Sequence, residues 1–138
     1  MIVGSLSLYL NGVDITPEDI DILMPSDCAL ELNNYWKDYV VKKVVYSETD
    51  SFRSYFGVFE IMGVKVEVLG DAFEKIRGEW VSLMMRLSRM IYKEILGIRV
   101  PISHICDHYK SYCGSERIKD KEKCEKIKEV LGRNRIEC

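Results

Sequence analysis

Asp19 and Asp21 flank Ile20, Glu67 lies between Val66 and Val68, and Gly4-Ser5 closes the short apolar run Met1-Ile2-Val3. In an extended chain alternate side chains share a face, so Asp19 and Asp21 project together while Ile20 and Ile22 project the other way. The Val64/Val66/Val68 alternation sets Glu67 and Lys65 on one side of a further strand. Carboxylates gathered in one place repel, and a divalent ion with a taste for oxygen ligands, such as Mg²⁺, relieves that repulsion. Two such ions form the clamp that stabilises attacking and leaving oxygens in phosphoryl chemistry. Gly4-Ser5, at a strand end running into a helix, offers free backbone N–H groups and a small hydroxyl suited to phosphate. A Gly-Ser turn or an Asp-x-Asp alone is commonplace; the ordered combination, each part on a fitting element, carries the information.

In that order the residues resemble the nucleotidyltransferase superfamily. Its signature is a hydrophobic-Gly-Gly/Ser turn, a gap of about a dozen residues (thirteen here, between Ser5 and Asp19), an acid-x-acid pair and a third acid between hydrophobics. Tyr55 to Val68 is similar to the hairpin that presents the third carboxylate in small prokaryotic members, and the resemblance spans about residues 2–70. It implies that Gly4 and Ser5 hold a nucleoside triphosphate and that Asp19, Asp21 and Glu67 ligate Mg²⁺ or Mn²⁺. Glu67 could alternatively act as general base on the acceptor. The implied reaction moves NMP from an NTP to a hydroxyl acceptor and releases pyrophosphate. Two departures favour a rival, a catalytically silent regulatory or toxin–antitoxin-type binding protein on the same fold. Relatives carry a helix ahead of the Gly-Ser strand, whereas Met1 stands three residues before Gly4. Many also carry a base just before the acid pair, whereas residues 12–18 contain none. Arg53, Lys65 or bases of the C-terminal helix would then have to meet the triphosphate. Arg117 and Lys119 resemble an Arg-x-Lys-Asp helix that lies near the cleft in small relatives, and a solvated face with ion pairs is the simpler reading of that helix.

The elements that must position these residues follow from periodicity. Residues 2–3 read as a strand, 6–10 as a helix closed by Asn11-Gly12, and 19–24 as a strand. A helix is expected from Ser26-Asp27 through Val40, a strand over 43–48, and strands over 55–61 and 64–69 joined by Met62-Gly63 as a two-residue hairpin turn. Beyond these, 71–78 and 80–96 read as helices, the second with an apolar stripe of Trp80, Leu83, Met84, Leu87, Met90 and Ile91. Helices over 103–112 and 116–131 complete the chain. The expected fold is thus α/β (α+β), a mixed sheet in a catalytic core over 1–75 with a helical cap over 76–138. The stripe is core or, failing that, a face for a second copy or a helical partner.

Composition narrows the classes. With 47% apolar and 30% charged residues the chain is an ordinary globular one, and a net charge of −2 argues against nonspecific nucleic-acid binding. Charge is uneven: residues 1–36 hold six acids and no base, while 115–138 carry eight bases against six acids. No apolar run is long enough to span a membrane, and no leader pattern opens the sequence, so a cytoplasmic protein is expected. Five scattered cysteines read as reduced thiols, with a disulfide such as Cys106–Cys113 as the alternative. His104, Cys106, His108 and Cys113 match no standard zinc spacing.

Overall fold

A computed structural model describes residues 1–115 and 117–138. In chain order the elements are β1 (Ile2–Val3), α1 (Gly4–Leu10), β2 (Ile20–Met24), α2 (Ser26–Tyr35), a 3-10 turn (Lys37–Tyr39), β3 (Val40–Glu48), β4 (Phe52–Ile61) and β5 (Val64–Ile76). They continue as β6 (Glu79–Ser82), α3 (Leu83–Arg86), β7 (Met90–Ile95), β8 (Ile98–Ser103), α4 (Ile105–Cys113) and α5 (Ile118–Asn134). The strands form one mixed sheet in the order β3-β4-β5-β2-β1-β8-β7, with β6 extending β5. At its centre β2 runs parallel to β5 and antiparallel to β1, and β1 runs parallel to β8.

This is the expected α/β class, with the strands over 2–3, 19–24, 43–48, 55–61 and 64–69 and the helix after Gly4 all present. The helix from Ser26 stops at Tyr35, short of Val40, and gives way to the 3-10 turn. The larger correction concerns residues 71–103. In place of two helices, β5 continues to Ile76, turns at Arg77-Gly78 into β6, and after one helical turn the chain makes the β7–β8 hairpin through Leu96-Gly97. The division at 75/76 therefore falls inside β5, and the residues beyond it add three strands to the same sheet before α4 and α5 close the chain. Met62-Gly63, Arg77-Gly78 and Leu96-Gly97 each carry two successive positive φ angles (53/76, 51/87 and 51/77°), the signature of a hairpin turn whose twist matches the strands it joins. The expected helix start at Glu116 lies outside the described residues.

Packing divides by sheet face. Ala29 of α2 buries itself against Val44, Phe59, Val66 and Val68, covering β3–β5 on one side. On the other side Val3, Leu23, Ala72 and Leu87 form a smaller cluster, and of the predicted Trp80 stripe only Leu87 is buried. Helices α1, α4 and α5 close a third cluster around Leu8, Ile105, Ile127 and Val130 at the β1–β8 end. Among the described residues, no helix is long and apolar enough to cross a membrane.

The cysteines also depart from expectation. Cys106 pairs with Cys138 and Cys113 with Cys124, leaving Cys28 exposed and free. The antiparallel meeting of α4 and α5 brings Cys113 and Cys124 to a Cα separation of 5.1 Å, and the C-terminal segment returns to α4 to bring Cys138 to Cys106. Cys106 and Cys113 are thereby engaged with sulfur. Thiol titration of the denatured, unreduced protein should find one reactive thiol, and five after reduction. Five without reduction would show that these pairs do not form in solution. A loop of roughly fifteen residues closed by a disulfide is worth about 3 kcal/mol in the chain-entropy account, so loss of the Cys113–Cys124 link should lower stability by a value of that order.

Candidate active site

Strand β2 begins at Ile20, and its parallel register with β5 sets Asp21 directly beside Glu67 and Ile20 beside Val66. The apolar partners turn to α2, so the carboxylates turn the other way. Asp19, just ahead of β2, completes the group: Asp19, Asp21 and Glu67 each offer an oxygen, all within 4.8 Å of one another. All three sequence-predicted acids are thus brought together, each partly exposed.

Gly4 is the fourth part of this arrangement. Its φ of +66° is left-handed, and a Cβ built there would lie 2.2 Å from Asp21 Oδ2. The hydrogen side chain serves twice, permitting the turn from β1 into α1 and leaving space for the Asp21 carboxylate. Ser5 follows as the second residue of α1, partly exposed.

Electrostatically the group is under load. Burial, then the charges of Asp19 and Glu67, and a hydrogen bond shared with Glu67, push the Asp21 pKa from 3.8 up to about 7. Lys65 answers part of this, its Nζ lying 2.5 Å from Glu67 Oε1 and 3.9 Å from Asp19 Oδ2. A further cation comes from the far side of the fold: Lys123 of α5 sits 4.9 Å from the centre of the Tyr112 ring and opposes the rise at Asp21. Sequence reasoning passed over Lys123. The signal was present, because Asp120, Cys124, Ile127 and Leu131 form the inward stripe of α5 and Lys123 falls between them. Lys119 lies off that stripe and is exposed, whereas Arg117 lines the cleft and reaches Asp120 at 3.8 Å. Lys128 and Glu125 form the kind of surface pair expected of that helix. Arg53 stacks on Phe73 and Trp80 instead of meeting the acids.

A cleft of about 300 Å³ runs from Gly4 and Asp21 towards Tyr112, Ser115, Arg117 and Asp120. His108 at its wall is buried and donates or accepts within a small polar network, 2.5 Å from Ser103 Oγ and 3.1 Å from Ser7 Oγ. Desolvation holds its pKa down to about 4, so the ring is neutral at pH 7. His104 instead caps α4, accepting the Cys106 N–H at 3.2 Å.

A sheet carrying an acid-x-acid strand beside a third acid strand, with a glycine turn against the second acid, defines a nucleotidyltransferase-like protein. The crystal structure of a protein from Thermotoga maritima (TM1012), described as a "putative nucleotidyltransferase", matches with a TM-score of 0.75 and 30% sequence identity, covering 96% of this chain and 81% of that one. The chain belongs to the nucleotidyltransferase superfamily. No protein-family model and no curated protein sequence matches it.

Proposed function

We propose that this protein transfers NMP from an NTP to a hydroxyl acceptor with the help of a divalent ion. The single observation that carries the reading is the convergence of Asp19, Asp21 and Glu67 from two parallel-register strands. Three carboxylates are a hard, all-oxygen donor set that suits Mg²⁺ or Mn²⁺, and a cation there would relieve the crowding of charge that helps push the Asp21 pKa up. Bound there, the ion would neutralise phosphoryl oxygens and polarise the α-phosphate. The chain's own residues do the rest. Asp19 and Asp21 hold the ion-binding side, while the Gly4-Ser5 turn and Lys123 face the triphosphate. Glu67 receives the acceptor's hydroxyl proton. The acceptor oxygen forms a bond to the α-phosphorus, the bond from that phosphorus to the bridging oxygen breaks, and pyrophosphate leaves. An NTP donor is in keeping with the cytoplasmic setting expected from the sequence.

Thermal unfolding across the four NTPs with Mg²⁺ or Mn²⁺ tests this. A ligand at 100 times its Kd stabilises by about 2.7 kcal/mol, several degrees for a domain of this size. The expected result is a metal-dependent rise with at least one NTP. No rise with any of them would sink the donor assignment. It would favour the second reading, a silent member that binds a protein partner, which the base-free 12–18 loop and the exposed Met84, Met85 and Met90 support.

A further inference from the structure

In-line displacement sets the attacking and leaving oxygens on opposite sides of phosphorus, so a transferase needs a chamber on each side of its carboxylates. Here two of the acids line different cavities, Asp21 one and Glu67 the other. The cleft already described reaches Gly4 and Asp21 from the α4–α5 side. A second groove of about 360 Å³, adjoining the first across Phe52 and Leu69, reaches Glu67 from the β3–β4 side, walled by Lys42, Ser47, Thr49 and Phe56. Register explains the groove: Phe56 lies opposite Val45 and Leu69, and Ser47 opposite Ser54, on the sheet face that α2 does not cover.

We propose that this groove is the acceptor site and that its occupant is a small hydroxylated ring compound bearing one anionic group. The inference rests on the transferase reading above and adds the acceptor's chemistry to it. Size comes first: small-molecule sites run from roughly 300 to 1,000 Å³, and this groove is at the low end, room for one small molecule. The phenylalanine rings give an apolar floor on which a ring can lie. Lys42 holds its ammonium 5.1 Å from the centre of the Phe56 ring and has no carboxylate partner among the described residues, so an anion is the complementary group. The Ser47 hydroxyl suits a polyol, whereas that of Thr49 is held in the turn, donating to the Phe52 carbonyl and accepting the Phe52 N–H. Glu67, at the end nearest the other acids, meets the hydroxyl that attacks.

Amide NMR titrations with AMP, adenosine and ribose 5-phosphate separate these contributions, since AMP carries ring, hydroxyls and anion while the others each lack one part. AMP should shift the amides of Ser47, Thr49, Phe56 and Leu69, with adenosine and ribose 5-phosphate binding at least about tenfold more weakly, tenfold being 1.4 kcal/mol. Lys42→Ala, an exposed substitution, should bring AMP down to the level of adenosine. Shifts confined to Gly4, Tyr112 and Asp120, no shifts at millimolar AMP, or indifference to Lys42→Ala would overturn the assignment. A missing NTP response in the unfolding experiment counts against the donor reading. An NTP response accompanied by a silent groove counts against the acceptor site alone.

Discussion

Asp21→Asn is expected to raise the stability of the metal-free protein at pH 8 by about 1–2 kcal/mol, to remove its response to Mg²⁺, and to cut NMP transfer by at least about 10³-fold. Raising a carboxyl from 3.8 to about 7, at 1.36 kcal/mol for each tenfold in proton affinity, sets a ceiling of about 4 kcal/mol, and partial solvent access reduces it by half or more. The fold keeps its shape because asparagine is isosteric and removes the repulsion with Asp19 and Glu67. The loss of transfer is much larger because a carboxylate that positions charge at the reacting phosphate is worth several kcal/mol. Calorimetry and a radiolabelled-NTP assay check the two halves independently. Transfer persisting in Asp19→Asn/Asp21→Asn would refute the mechanism.

The same substitution uncovers a second titration. The unfolded chain protonates His108 near 6.5, whereas the folded chain does so only near 4, so between those values the unfolded state binds more protons and stability rises with pH. Asp21 works in the opposite sense: between 3.8 and about 7 the folded state binds more protons, and stability falls as pH rises. The two windows overlap, so the two contributions oppose each other in the wild-type metal-free protein between pH 4 and 6.5. Asp21→Asn leaves His108 unopposed, and its melting temperature should climb across that interval. A flat profile in the variant would show that the His108 ring is not held neutral by burial.

What could be read in advance followed the strength of local signals. Asp19-Ile20-Asp21 and the valine alternation around Glu67 each have period 2, and burial of the intervening residues against α2 forces the acids onto the opposite face. Their pairing across β2 and β5 needed only the expectation that acids serving one ion must meet. Residues 71–103 resisted because Trp80, Leu83, Met84 and Leu87 are spaced as a helix would space them, and α3 does make one helical turn there. The contrary signal was also local: Arg77-Gly78 and Leu96-Gly97 repeat the form of Met62-Gly63, which was read as a hairpin. In none of the three is the first residue an Asn or Asp, so the pattern is recognisable only from the glycine and the flanking alternation. Lys123 and the cysteine pairs resisted for a different reason. Their placement depends on how α4 and α5 dock, and that depends on long-range packing at Ile105 and Ile127, which no local window contains.

Gly4→Ala separates the fold from the site most sharply. The new methyl would stand 2.2 Å from Asp21 Oδ2 but 3.2 Å from its Cγ and 3.4 Å from its Cβ, so it meets the movable end of a side chain and not a wall. Asp21 can yield by rotating, and the carboxylate then leaves Asp19 and Glu67. The backbone adds its own strain, about 1–2 kcal/mol for a left-handed non-glycine residue. The expected variant therefore folds, with stability lowered by about that amount, yet shows no metal-dependent NTP response and no transfer. Gly12→Ala is the control: Gly12 has a φ of +87° with nothing within 4 Å of a built Cβ, so it carries the strain without touching the acids. It should lose comparable stability while keeping nucleotide binding. If both variants bound NTP as the wild type does, the close approach of Gly4 to Asp21 would be packing alone. If Gly4→Ala alone failed to bind, the glycine of the Gly-Ser turn would owe its place to the space it leaves for a carboxylate as much as to its dihedral freedom.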